Sequence, residues 1–262
     1  VTQIDPLARD LASGALPVIL SEIAEQAAEV ILPFWRAEHE VFSKSDESPV
    51  TEADRKAEAL ILKCLAKLYP DVQVVAEEAS EADGLPDAAH ARFFLIDPLD
   101  GTKGFMRGGE SFTVNIALID DGRPVVGTVV APAMGVSWRG GPDGAFRRQK
   151  GEDWRAIRVR VRPETNAAAV VSHSMTDEEA QRLANRHGCG AWQGADSSVK
   201  FCLVAEGRCD VYPRTGPTME WDTAAGQAVL EAAGGRMVTP EGERFAYGKP
   251  GFRNGAFVAM GG

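Results

Sequence analysis

The chain has 262 residues, 44% hydrophobic and 25% charged, and its 38 acidic against 28 basic residues leave a net charge of −10. That is an ordinary globular composition, long enough for one large domain or two small ones sharing a core. The acidic balance argues against general nucleic-acid binding, and no apolar run approaches the roughly 20 residues of a membrane span.

Residues 1–10 (VTQIDPLARD) carry no basic region followed by an apolar one, so no signal peptide is expected. Cys64, Cys189, Cys202 and Cys209 form no C-x-x-C pair and read as reduced thiols of a cytoplasmic protein. Loose association with the inner membrane stays open. Residues 16–35 place Ile19, Ile23, Ala27, Val30, Ile31 and Phe34 at helical spacing, the stripe of a helix packed on a core.

A polar loop over 43–50 follows. Thr51, with Asp54 three residues on, resembles a capping box that opens a second helix with Ala57, Ile61, Cys64, Leu65 and Leu68 on one face. Asp54 serves there as a capping acid or as a metal ligand, and local sequence does not choose. Val72–Val75 reads as a short strand ending in Glu77-Glu78, adjacent acids that read locally as solvated, before a Gly- and Asp-rich loop over 80–90.

Residues 93–96 (FFLI) read as a buried strand that stops at Asp97-Pro98, because proline cannot continue a central ladder. Asp97 and Asp100 then stand in a turn, Gly101 permits a sharp path, and Thr102 adds a hydroxyl. Taken alone this is equally a solvated Asp-Pro turn and a hard-metal site. A loop or short helical turn is expected over 103–111. Strands follow at 112–119, 125–131, 135–139, 144–148 and 156–161, the last with Arg158, Arg160 and Arg162 on one solvated face.

Near residue 163 the pattern changes. A strand at 167–172, a helix at 176–187, a helix at 197–206 and a strand at 209–212 precede a helix from Trp221-Asp222 to Ala233, stopped by Gly234-Gly235. Short strands around Met237 and Phe257 close the chain. The expected division is 1–162, a mostly antiparallel sheet with two helices, and 163–262, an α/β region.

The acids Asp54, Glu77, Asp97, Asp100 and Asp222 each fall at a strand end or helix start, while His39, His90, His173 and His187 are scattered. Oxygen-only ligands point to magnesium. One such ion takes one or two carboxylates, so five acids suit two or three ions, and paired divalent ions hydrolyse phosphoesters. The N–H groups of Gly101 and Thr102 could meet a phosphate if a helical turn starts there. No G-x-x-x-x-G-K-[ST] loop and no G-x-S-x-G elbow occurs, which argues against an NTPase and a serine hydrolase.

LIDPLDGTKGF (95–105) and WDTAAGQAVLEAAGG (221–235) resemble the two signature segments of the inositol monophosphatase-like, lithium-sensitive phosphatase superfamily. SPVTEAD (48–54) and VVAEE (74–78) resemble its two N-terminal motifs, so the likeness spans nearly the whole chain. Residues 48–62, 112–119 and 197–226 are similar to the CysQ-type 3'(2'),5'-bisphosphate nucleotidases within it. The resemblance implies a layered α-β-α-β-α sandwich and Mg2+-dependent removal of the 3'-phosphate from 3'-phosphoadenosine 5'-phosphate, giving AMP. It makes Glu77, Asp97, Asp100, Asp222 and the Leu99 carbonyl metal ligands, with Asp54 beside a further, weaker metal. Thr102 would orient the attacking water with Asp54 or Glu77 as proton acceptor, and the amides of Gly101 and Thr102 would bind phosphate. Glu78 stays a surface acid.

Many bacterial relatives have Glu after the Thr-Lys pair, where this chain has Gly104. Arg214, in Tyr212-Pro213-Arg214-Thr215-Gly216, suits a second phosphate better than a polyol. Ser197, Ser198 and Lys200 are placed on the nucleoside side. The alternatives are an inositol monophosphatase or broad sugar phosphatase, and, in a different class, a role with the transcription machinery. A homodimer is left open.

Overall fold

A computed structural model describes residues 5–36 and 49–262. Helices α1 (Pro6–Ala12), α2 (Leu16–Ile31) and α3 (Pro49–Leu68) come first. A seven-stranded sheet follows in sequence order: β1 (Gln73–Ala76), β2 (Arg92–Asp100), β3 (Thr113–Asp120), β4 (Arg123–Ala131), β5 (Val136–Gly141), β6 (Gly144–Gln149) and β7 (Arg155–Ile157). Helix α4 (Glu77–Asp83) connects the parallel pair β1 and β2, and α5 (Thr102–Met106) lies between β2 and β3. From β2 onward all neighbours are antiparallel.

The remaining elements are β8 (Ala168–Ser172), α6 (Asp177–Arg186), β9 (Ala191–Ala195), α7 (Val199–Ala205), β10 (Val211–Arg214), β11 (Thr218–Met219), α8 (Trp221–Ala232), β12 (Arg236–Val238), β13 (Arg253–Asn254) and β14 (Phe257–Met260). A second sheet runs in the order β12-β14-β10-β8-β9, and β11 pairs with β13.

Alternation along each strand divides the core. Phe94, Ile96, Ile116 and Leu118 point to one face of the first sheet, against Leu20, Ile23 and Ile31 of α2 and Ile61 and Leu65 of α3. Phe93, Leu95, Ala117 and Ile119 point to the other, against Ala224, Ala225 and Val229 of α8. Gly127 permits that approach, since a Cβ there would stand 2.7 Å from the Cβ of Ala228. Tyr212 and Phe257 of the second sheet join the same cluster. Its far face is closed by Ala180 and Leu183 of α6 against Val171. The layers read α-β-α-β-α, as expected.

Several local expectations change. α3 begins at Pro49, which puts Thr51 inside the first turn rather than at the cap. The Thr51 side chain, His39 and the loop over 43–48 lie outside the described residues. Leu68 is exposed, and the buried stripe of α3 instead carries Asp54 and Glu58. Helix α4 occupies the start of the expected loop. β2 does not stop at Pro98. It continues to Asp100 across a register shift between Asp97 and Asp100, the kind of bulge that tolerates proline in a sheet. β7 ends at Ile157, and Arg160 leaves the expected solvated row to clasp buried Asp210 at 2.8 and 2.6 Å. β9 was not expected at all.

Candidate active site

The parallel strands β1 and β2 end side by side, Ala76 beside Ile96. The next residue after β1, Glu77, starts α4, and the end of β2 carries Asp97 and Asp100. The start of α4 is fixed from a distance: Glu58 of α3 accepts from the N–H groups of Glu78 at 2.9 Å and Ala79 at 2.8 Å. A buried carboxylate thus satisfies the open amides of the helix and sets where Glu77 points. Asp97 bends the chain locally, accepting from its own Leu99 N–H at 3.0 Å.

Gly101 then adopts φ 95°, a left-handed turn that a side chain would resist. Thr102 opens α5 directly after it. The far end of this segment is tied to the end of α2: Trp35 Nε1 donates to the Gly109 carbonyl at 2.9 Å, and Arg36 donates to the Gly108 carbonyl.

Asp222 enters from the opposite side of the sheet, in the first turn of α8. Its Oδ2 accepts from the Met219 N–H at 2.7 Å. Ser198 holds the same region, donating its hydroxyl to the Asp222 carbonyl at 3.1 Å, while its N–H supports Asp100. Ser198 is fully buried.

The acids act on one another. Burial, then Glu77, Asp100, Asp222 and Asp54, drive the Asp97 carboxyl well above its usual range. Burial, then Asp222 and Asp100, push Glu77 up to about 8, partly offset by a hydrogen bond with Asp97. Burial, then Glu78 and Glu77, raise Asp54 to about 9. Asp222 rises to about 7 through burial and Asp100. Burial also raises Asp100, opposed by Lys200, the Ser198 N–H and Arg214.

Lys200 is the opposing charge. Its ammonium is buried, and burial lowers it to about 8 against the pull of Asp100, Asp196 and Asp222. With Tyr212, Arg214, Ser197, Thr218, Asp100, Asp222 and Thr223 it lines a polar cavity of about 80 Å³. Asp54, Glu77, Asp97, Asp100 and Asp222 are therefore one electrostatic group, and Lys200 and Arg214 form its cationic wall. Glu78, half-buried beside Arg55, stands at the edge of this group and acts on Asp54 and Glu77.

Buried carboxylates in this number need cations or protons. Among the described residues no three His, Cys, Asp or Glu side chains already stand in closed metal-ligand geometry. Magnesium takes one or two carboxylates and leaves its other positions to water and phosphate. Beside the acids, Thr113 Oγ1 and Asn115 Oδ1 are buried without hydrogen-bond partners, while the Asn115 amide supports Asp100. These two orphaned oxygens, among carboxylate oxygens, fit a hard hydrated cation.

Sequence reading missed Glu58, Asn115 and Asn254. Glu58 had a signal, lying four residues beyond Asp54 on the same helix face. Asn115 also had one, as a polar residue inside the apolar run 112–119. Asn254 had none, because its partners, Met219 and Thr223, are distant in sequence.

A sequence profile of the inositol monophosphatase family matches residues 12–259. The chain is 39% identical over 241 residues to the 3'(2'),5'-bisphosphate nucleotidase CysQ of Escherichia coli strain K12, covering 88% of this chain and 96% of that protein. The crystal structure of CysQ from Bacteroides thetaiotaomicron superposes with a TM-score of 0.79 at 31% identity, covering 94% and 97% of the two chains. An inositol monophosphatase from Zymomonas mobilis gives 0.75 at 28% identity, covering 93% and 91%. Enzymes of this family are generally magnesium-dependent. With a profile running almost from end to end, the chain belongs to the inositol monophosphatase family.

Proposed function

We propose that the chain is a Mg2+-dependent 3'(2'),5'-bisphosphate nucleotidase that removes the 3'-phosphate from 3'-phosphoadenosine 5'-phosphate, giving AMP. The observation that carries this reading is the cavity between the acids and the pair Lys200 and Arg214. A substrate with two phosphates needs a second anion site beside the one undergoing hydrolysis. An ammonium and a guanidinium supply it. The relatives named 3'(2'),5'-bisphosphate nucleotidase support the same substrate class.

In this reading Glu77, Asp97, Asp100, Asp222 and the Leu99 carbonyl would hold the magnesium ions, two or three in number, with Asp54 beside a further, weaker one. Magnesium held by these residues would supply a lowered pKa for water and stabilisation of charge on the departing oxygen. The amides of Gly101 and Thr102 hold the phosphate. The Thr102 hydroxyl orients the attacking water, and Asp54 or Glu77 takes its proton. A bond from the water oxygen to phosphorus forms as the bond to the 3'-oxygen breaks, leaving AMP and inorganic phosphate. Ser198 acts by fixing Asp100 and Asp222. We place the reaction in the cytoplasm, where Cys64, Cys189, Cys202 and Cys209 remain free thiols.

Inositol monophosphatases carry an acid shortly before their Trp-Asp segment to accept from inositol hydroxyls, and the corresponding stretch here, Tyr212-Pro213-Arg214-Thr215-Gly216, holds no acid and presents Arg214 to the cavity. The test is phosphate release by the purified protein from 3'-phosphoadenosine 5'-phosphate, inositol 1-phosphate and fructose 1,6-bisphosphate. Highest kcat/KM on the nucleotide is expected, and a preference for inositol 1-phosphate overturns the reading.

A further inference from the structure

Gly104, in the middle of α5, leaves the helix face beyond Gly101 and Thr102 without a side chain, and the structure gives the position a definite neighbour. A Cβ on Gly104 would meet one atom only, Asp196 Oδ2, at 3.6 Å. Asp196 follows β9. Its Oδ1 accepts from the His173 N–H at 3.3 Å, while Oδ2 takes no hydrogen bond among the described residues.

Asp196 belongs to the rim of the site. The next residue, Ser197, holds a left-handed φ of 49°, packs against the Gly101 turn, and lines the cavity. A non-glycine residue kept in that conformation is held by its surroundings, and here its hydroxyl is clasped by the Ser111 carbonyl. Asp196 also shares the buried Lys200 ammonium with Asp100 and Asp222. Asp196 therefore faces the bare Gly104 position of α5 with a carboxylate oxygen that holds no hydrogen bond among the described residues.

We propose that Asp196 is a specificity-determining residue whose Oδ2 accepts a hydrogen bond from the hydroxyl vicinal to the scissile phosphate. This rests on the nucleotidase reading. Gly104 lies three residues beyond Gly101, roughly 4.5 Å along a helix axis. Asp196 Oδ2 thus faces α5 within one turn of the amides of Gly101 and Thr102, where a group vicinal to a phosphate held there would stand. An ionised carboxylate only accepts, so it rewards a donor there and repels a second phosphate. Asp196 thus selects a 3'-phosphate flanked by a free 2'-hydroxyl.

The experiment compares kcat/KM for adenosine 3',5'-bisphosphate and its 2'-deoxy counterpart. The native enzyme is expected to favour the ribonucleotide about tenfold, as for one hydrogen bond to a charged group. Asp196→Ala is expected to bring that ratio near one. Gly104→Ala places a methyl at ordinary contact distance, favours the helix, and is expected to lower the ratio while keeping the melting temperature. A native ratio near one, or an Asp196→Ala or Gly104→Ala enzyme that keeps the native ratio, overturns the proposal alone. A native enzyme that hydrolyses neither nucleotide but hydrolyses inositol 1-phosphate overturns the nucleotidase reading and the proposal with it.

Discussion

The side-chain amide of Asn254 donates to the Thr223 hydroxyl at 2.9 Å, one residue past Asp222. The same amide donates to the Met219 carbonyl at 2.9 Å, and Met219 in turn donates its N–H to Asp222. The C-terminal segment therefore grips both sides of the acid that opens α8. Asn254→Ala leaves buried acceptors open, at a cost of about 1–3 kcal/mol. Because Asp222 also loses its support, kcat should fall about tenfold or more. Chemical denaturation and steady-state kinetics check both, and native kcat in the variant would separate this grip from the site.

Asp97→Asn should remove turnover by about three orders of magnitude without unfolding the protein. Burial and four neighbouring acids already drive the Asp97 carboxyl upward. Neutralising it relieves repulsion, so in EDTA the variant should melt no lower than the native protein. Retained magnesium-dependent activity would show that the metal site lies elsewhere.

Metal-free protein should lose stability as pH rises. Asp54 reaches about 9, Glu77 about 8 and Asp222 about 7 in the fold, against model values of 3.8, 4.5 and 3.8. Between those limits the native state binds more protons than the unfolded chain, so unfolding free energy falls with pH. Calorimetry in EDTA from about pH 5 to about pH 9 should show a declining melting temperature, with a shallower decline in saturating magnesium. A flat profile in EDTA would contradict the electrostatic coupling of the acids.

Glu58→Ala removes the only described side-chain acceptor bonded to the first amides of α4. Loss of such a cap costs about 0.5–2 kcal/mol. Since Glu77 is the first residue of that helix, the magnesium concentration for half-maximal activity should rise as well. Titration of activity against magnesium is the measurement, and an unchanged midpoint would confine Glu58 to stability.

Lys200→Met keeps length and apolar bulk but removes the ammonium that faces Asp100 and Asp222. KM for 3'-phosphoadenosine 5'-phosphate should rise about tenfold, for a charge-assisted contact, and more than KM for adenosine 3'-monophosphate. Equal rises for both substrates would mean that Lys200 serves the acids rather than a second phosphate.

Motif residues carried most of this site because their chemistry is local. Glu77, Asp97, Asp100 and Asp222 fall at element ends, and alternation in 93–96 and 112–119 marks the central strands. What escaped depends on partners remote in the chain. The residues of α4 look like loop until Glu58, twenty residues earlier, caps them. Arg160 looks like part of a solvated row until Asp210 draws it away. Pro98 reads as a stop because proline removes a ladder donor, but a bulge makes the lost donor harmless.

That bulge also decides the parity of the acids. In a regular strand, residues three apart face opposite sides of a sheet. Here Asp97 pairs with Asn115 and Asp100 pairs with Thr113, so three steps along β2 match two along β3. The extra residue returns Asp100 to the side that Asp97 occupies, the side on which α8 brings Asp222. Deleting one residue between them would keep both carboxylates and restore a regular ladder. The pair would then still coincide in facing, but with Leu99 or Pro98 gone the backbone outside the ladder would vanish. The length of this segment, as much as its composition, is therefore a chemical requirement of the enzyme.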